Sequence, residues 1–158
     1  MSKFESISQE ILSLIEDWET KLLSLSEDVL ARRNNQNRTI KQIIGHMCDS
    51  ATNNTHRIVH LQYCKGPLEY PNYATFGNND RWIAIQRYEE ENWNDLIQLW
   101  KYLNMHFAFI IRFIDETKLD NTWTSGINQE ISLEDIVTDF PRHFELHMQE
   151  ILDLIAIK

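Results

Sequence analysis

Three of the six histidines have the spacing of metal ligands or general bases. His143 and His147 are four residues apart, which on a helix stacks them one turn above the other on a single face. His147 falls inside an apolar stripe between Phe144 and Ile151, and His143 lies at its edge. An imidazole turned toward a core needs partners for both ring nitrogens. Hydrogen bonds within the core would supply them, and so would a metal on one nitrogen with a backbone or carboxylate acceptor on the other. Spacing disfavours two other metal chemistries. A zinc-protease helix carries Glu directly after the first His, where this chain has Phe144, and Glu145 projects to roughly the opposite face. A carboxylate-bridged di-iron bundle needs Glu three residues before a His, and none of the six histidines has one.

His46 adds a third imidazole on a different segment, in a polar line with Ser50, Asn53, Arg57 and His60 that flanks an apolar stripe. That line is either a solvated face or the border of a cavity at one end of the fold. In the second case, three imidazoles that leave a coordination position open suit Zn²⁺ or a similar borderline metal. Such an ion lowers the pKa of a bound water, which gives hydrolysis, or deprotonates a bound thiol, which gives thiol transfer. Asp49 faces away from the cavity side, so spacing places no carboxylate as a general base; this favours thiolate chemistry. Asn53 and Arg57 share a face with His46 and are the candidate substrate contacts, Arg57 for an anionic group such as a carboxylate. Asn104 sits in an apolar stripe and is either a buried partner of the site or a packing hydrogen bond.

Positioning these residues requires long helices. Apolar residues at steps of three and four predict a first helix over residues 4–30, through Phe4, Ile11, Ile15, Trp18, Leu22 and Val29. Thr39 with Gln42 reads as a capping box that opens the second helix. Residues 64–80 collect Gly66, Pro67, Pro71 and Gly77 and predict a long crossover loop, with a helical turn opening at Asp80. Trp93 to Ile114 carries the third stripe, residues 118–130 form a second loop around Gly126, and Ser132 with Asp135 caps a fourth helix that bears His143 and His147. Trp18, Trp93 and Trp100 read as core; Tyr70 and Trp123 are loop residues able to cover a cavity mouth. His56, His60 and His106 lie off the buried faces. The fold class expected is all-α: one four-helix-bundle domain over residues 1–158, with the crossover between helices two and three. Pro141 lacks an amide and should kink or restart the fourth helix, with Asp139 as a cap for the restart.

Composition narrows the function classes. The 158 residues include 15 Lys+Arg and 24 Asp+Glu, a net charge of −9, which disfavours nucleic acid and anionic membranes as partners. Only 4 Gly and 3 Pro argue against a turn-rich β fold, and 42% hydrophobic residues argue against disorder. Cys48 and Cys64 read as free thiols. With no apolar run of signal-peptide or membrane-span length, a cytoplasmic location is the expectation.

The residues Thr39 to Arg57, with Gly45-His46 near their centre, resemble the second helix of DinB-like proteins. Leu133 to His147 resembles their fourth, and Trp82, Tyr88, Trp93, Leu96 and Trp100 fall where that family tends to carry aromatic and apolar residues. The resemblance implies a four-helix bundle with a long crossover, usually a homodimer. It also implies a divalent metal, commonly zinc or nickel, on three histidines matching His46, His143 and His147. Family activities include transferases and an isomerase that use low-molecular-weight thiols, and metal-dependent hydrolases. The expected function is therefore a thiol transferase acting on a small molecule, with a hydrolase, or a non-catalytic dimeric ligand-binding or scaffold bundle, as the alternatives.

Overall fold

The computed structural model describes residues 2–64, 66–69, 77–126 and 128–157. Among the described residues six α-helices account for most of the sequence: α1 (Glu5–Leu23), α2 (Glu27–Leu30), α3 (Ile40–Leu61), α4 (Asn78–Gln86), α5 (Trp93–Ile110) and α6 (Leu133–Ala156). Two strands, β1 (Thr122–Thr124) and β2 (Glu130–Ser132), form a small antiparallel hairpin with Trp123 opposite Ile131. The bundle proper is α1, α3, α5 and α6, with α5 lying between α1 and α3, and α6 packed mainly on α3.

Side-chain ties reveal the helix directions. Lys41 at the start of α3 donates to the carbonyl of Glu91 before α5 (2.9 Å), while Gln62 after α3 accepts from the amide of Asp115 beyond α5 (3.0 Å). The two helices are therefore parallel, and the connection between them must return along the bundle. On the other side, Ser8 donates to the carbonyl of Ala108 and Trp93 to that of Leu22, so α1 runs antiparallel to α5. The core between α5 and α6 is aromatic: Phe107 stacks on Phe140 at 3.9 Å between centroids and Trp100 packs against Phe144 at 5.7 Å. Trp18, Trp93 and Trp100 are all buried, as their stripes predict. Among the described residues no helix is long and apolar enough to cross a membrane, and both cysteines are free.

Both capping boxes form. Thr39 accepts from the Gln42 amide while the Gln42 side chain accepts from that of Thr39, and Ser132 and Asp135 do the same at α6. Four expectations are corrected. The first helix breaks after Leu23, where Ser24 donates to the Lys21 carbonyl, and resumes as the single turn α2. The third helix ends at Ile110 and tightens into a 3₁₀ turn over Ile111–Phe113. The loop of residues 118–130 contains β1, and Leu68 pairs alongside Trp123, its amide donating to the Thr122 carbonyl at 2.8 Å. Finally, α6 runs through Pro141 without a restart, and Asp139 pairs with Arg142 instead of capping. Pro141 lies in the ninth position of that helix and is buried, so packing of the apolar stripe on both sides outweighs one lost backbone bond. Most of the crossover loop, Tyr70 included, lies outside the described residues.

Gly45 is where the segment that follows the crossover meets the bundle. The Tyr88 ring lies so close that a Cβ at position 45 would fall 2.1 Å from Tyr88 Cδ2. The ring is held by its hydroxyl, which donates to Asp49 Oδ1 at 2.7 Å, one turn further along α3. Gly45→Ala is therefore expected to overpack this contact by about 1–3 kcal/mol. At roughly 2–4 °C per kcal/mol for a chain of this size, circular dichroism should show the melting temperature falling by several degrees. Pro141→Ala restores an amide donor to the Val137 carbonyl and should raise the melting temperature by a few degrees in the same measurement.

Candidate metal centre

The antiparallel packing of α3 on α6 brings His46 against His143 and His147. Potential ligand atoms of the three residues all lie within 4.8 Å of one another, with ring centroids 4.5–5.8 Å apart. Nε2 of His147 is 3.1 Å from Nε2 of His143. Two imidazole nitrogens bound tetrahedrally to one Zn²⁺ at 2.0–2.1 Å would stand about 3.3 Å apart, so the pair already has nearly that separation. His46 and His147 are buried and His143 is half-buried. The polar line on α3 is thus an internal surface: Ser50, Asn53 and Arg57 are each 5% exposed or less, which removes the solvated-face alternative.

Burial sets the protonation state. Desolvation, reinforced by the other two imidazoles and by Arg38, lowers the His46 pKa to about 2. Desolvation and His147 lower that of His143 to about 4. Both rings are neutral at pH 7 and keep a lone pair available. In the unfolded chain these histidines take up protons near pH 6.5. The folded state therefore loses stability as pH falls below that value toward the folded pKa values.

The orientation of His147 comes from Glu150, a residue that no motif in the sequence singles out. Glu150, one turn further along α6, accepts from His147 Nδ1 at 2.9 Å, which fixes the tautomer and leaves Nε2 facing the cluster. The i, i+3 spacing of His147 and Glu150 is visible in the sequence, but the di-iron motif reads only acids that precede a histidine, so that pattern does not register it. Asp49 does turn away from the cluster: buried beneath Tyr88, it accepts from the Tyr88 hydroxyl and from Gln86 Nε2, both at 2.7 Å. Burial pushes its carboxyl above the ordinary range despite those donors.

Beside the cluster opens a cavity of about 630 Å³. His143, Phe140 and Asp139 line it from α6, Ser50, Asn54 and Arg57 from α3, and Trp123, Glu130 and Ile131 from the hairpin. The Arg57 guanidinium lies over the Trp123 ring, 4.0 Å from its centroid, and donates to Asn54 Oδ1 at 3.0 Å. Of the three sequence-predicted substrate contacts, only Arg57 lines this cavity. Asn53 is buried and donates back to the carbonyl of Asp49 at 2.8 Å; Asn104 does the same to Trp100 at 2.7 Å. Asn54, one position on from Asn53, takes the place at the wall. Trp123 supplies cover, while His56 and His106 are exposed and His60 is half-buried beside Tyr63.

No family model and no curated protein matches the chain. A solved structure does. Over 98% of this chain and 87% of the other, the fold superposes with a TM-score of 0.83, at 15% sequence identity, on YfiT from Bacillus subtilis. YfiT is described as "a probable metal-dependent hydrolase with an unusual four-helix bundle topology". The chain thus has the YfiT fold, which is the bundle that the DinB-like resemblance implied.

The Glu150 contact gives a direct test. Glu150→Gln keeps the shape but weakens the acceptor for His147. Isothermal titration with Zn²⁺ should show affinity reduced about 10- to 100-fold, with little change in the thermal stability of the metal-free protein.

Proposed function

We propose that this protein is a metal-dependent enzyme acting on a small molecule, with His46, His143 and His147 as the ligands of a divalent cation. The observation that carries this reading is the convergence of three buried imidazoles from two helices, one of them opening on a cavity of substrate size. The donor set suits Zn²⁺ or Ni²⁺, whose bonding to neutral imidazole is strong. When bound, such an ion supplies Lewis acidity at the cavity wall, lowering the pKa of a coordinated water or thiol.

The chain's own residues would do the rest. Glu150 holds the His147 ring in its tautomer. Phe140 and Trp123 give the cavity apolar walls, and Trp123 holds the Arg57 guanidinium flat. Arg57 offers charge-assisted donors to an anionic substrate group, and Asn54 orients it. Glu130 stands on the same walls as a carboxylate that spacing did not place, while Asp139 is held by Arg142. The presence of Glu130 makes hydrolysis the better-supported reaction, in agreement with the description of the structural neighbour. Transfer of a low-molecular-weight thiol is the second reading. Its support is that Glu150, the carboxylate hydrogen-bonded to the cluster, sits on the far nitrogen of His147 and so is not placed as a general base.

Purified protein dialysed against Zn²⁺ or Ni²⁺ should retain about one equivalent by elemental analysis, a one-site stoichiometry. At a hundredfold excess of metal over its dissociation constant the fold gains about 2.7 kcal/mol, or roughly 5–10 °C of melting temperature. His147→Ala should lose both effects. Retention of neither by the wild-type chain overturns the metal reading. Hydrolysis of p-nitrophenyl esters by the loaded protein, against thiol-dependent consumption of an electrophile such as 1-chloro-2,4-dinitrobenzene, separates the two reactions.

A further inference from the structure

Ser50 follows His46 by four residues, so it stands one turn further along the same face of α3. It is 4% exposed and lines the cavity together with His143, on the side where the cluster opens. The hydrogen bonds around its hydroxyl determine what that group can do. A guanidinium only donates, so the Asn54 atom that meets Arg57 Nη1 at 3.0 Å is the amide oxygen, and the other end of that amide is the NH₂ group. This NH₂ group lies 3.3 Å from Ser50 Oγ and donates to it. Ser50 therefore receives a hydrogen bond from Asn54 and cannot return its own proton there. Serine and threonine within a helix commonly give that proton to the carbonyl one turn back, as Thr52 does to Cys48 at 2.9 Å. Among the described residues Ser50 makes no such bond, and its proton is left for an acceptor in the cavity.

We propose that Ser50 is a catalytic hydrogen-bond donor to the carbonyl oxygen of an acyl substrate, an ester or amide held in this cavity. The proposal rests on the hydrolase reading above and adds a group which that reading leaves unused. When water adds to the carbonyl carbon, the new C–O bond forms and the π electron pair moves onto the carbonyl oxygen, whose negative charge takes up the Ser50 hydrogen bond. As the pair returns, the bond to the leaving alcohol or amine breaks. One proton of the water leaves with that group and the other stays on the acid, so Ser50 keeps its own proton throughout. The relay behind Ser50 strengthens this donor: the Arg57 charge polarises the Asn54 amide through its oxygen, and the amide in turn donates to Ser50 Oγ. The same relay argues against Ser50 as a nucleophile, which needs a base on its proton, whereas Asn54 presents a donor to its oxygen.

In Zn²⁺-loaded protein, Ser50→Ala should lower kcat for p-nitrophenyl acetate by about 100-fold with KM little changed, the signature of a contact made in the transition state. Ser50→Thr keeps the hydroxyl and should keep most of the rate. Isothermal titration gives a readout apart from turnover. Phenylphosphonate carries its oxyanions on a tetrahedral centre and should bind the loaded wild type at least about 10-fold more tightly than it binds Ser50→Ala, while the two proteins bind Zn²⁺ equally. This arm decides even where the ester is a poor substrate. Asn54→Asp separates donor from nucleophile: the new carboxylate draws the Ser50 proton to itself, so a donor loses rate as in Ser50→Ala, whereas a nucleophile gains a base and speeds up. Faster turnover by Asn54→Asp overturns the proposal. So does a Ser50→Ala variant with the wild-type affinity for phenylphosphonate; if the wild type still takes up Zn²⁺, that result sinks this inference alone. A wild type that takes up no Zn²⁺ sinks the metal reading together with it.

Discussion

Three imidazoles can share the interior of a helix bundle only if they stay uncharged and their nitrogens are satisfied by one another, by a carboxylate or by a cation. Most of the architecture around the cluster serves that condition. Desolvation holds His46 and His143 neutral well below physiological pH, and the Arg38 charge, itself paired with Asp80 on α4, adds to the effect at His46. Glu150 meets the outer nitrogen of His147. The capping boxes at Thr39 and Ser132 fix where α3 and α6 begin, and with them the rotation that aims each ligand inward. A slip of one residue in either helix would turn its histidines by about 100° and disperse the cluster.

The cavity depends on a different class of interaction. A buried guanidinium is costly unless something replaces its hydration. Trp123 covers one face of Arg57 with an electron-rich ring, and Asn54 takes one of its donors. The hairpin that presents Trp123 is secured from three sides: Asn121 donates to the Leu61 carbonyl, Leu68 pairs alongside Trp123, and β2 runs directly into α6. The cavity wall that the hairpin supplies is therefore tied to the crossover as well as to the bundle.

Much of this was legible from residue order, and the failures have physical causes. Helix periodicity and the two capping boxes are local signals, so the four long helices, their starts and the inward face of His147 could be read directly, whereas for the polar line of His46 periodicity left a solvated face and a cavity border both open and only burial separates them. The hairpin could not, because three-residue strands carry too few alternations to register and are held by contacts with distant segments. Pro141 did not restart the helix because a local rule gives only the loss of one amide, whereas the neighbouring Phe140, Phe144 and Val137 are all buried and keep the helix continuous through it. A shared face with His46 places Asn53 at the cavity, but the residue that lines the wall is Asn54, one step away, a difference finer than a helical wheel resolves. The meeting of Arg57 and Trp123 is a long-range contact that no spacing encodes.

Gly45 gives the Tyr88 contact a wider meaning. The residue just before the first imidazole has no side chain, and an aromatic ring from beyond the crossover occupies that space while its hydroxyl reaches Asp49. The angular setting of His46 is thus shared between its own helix and a segment far along the chain. Anyone grafting this histidine cluster onto another bundle would have to transplant the glycine, the ring and the acid together with the three histidines. Relatives that differ at one of these three positions should be expected to differ at the others.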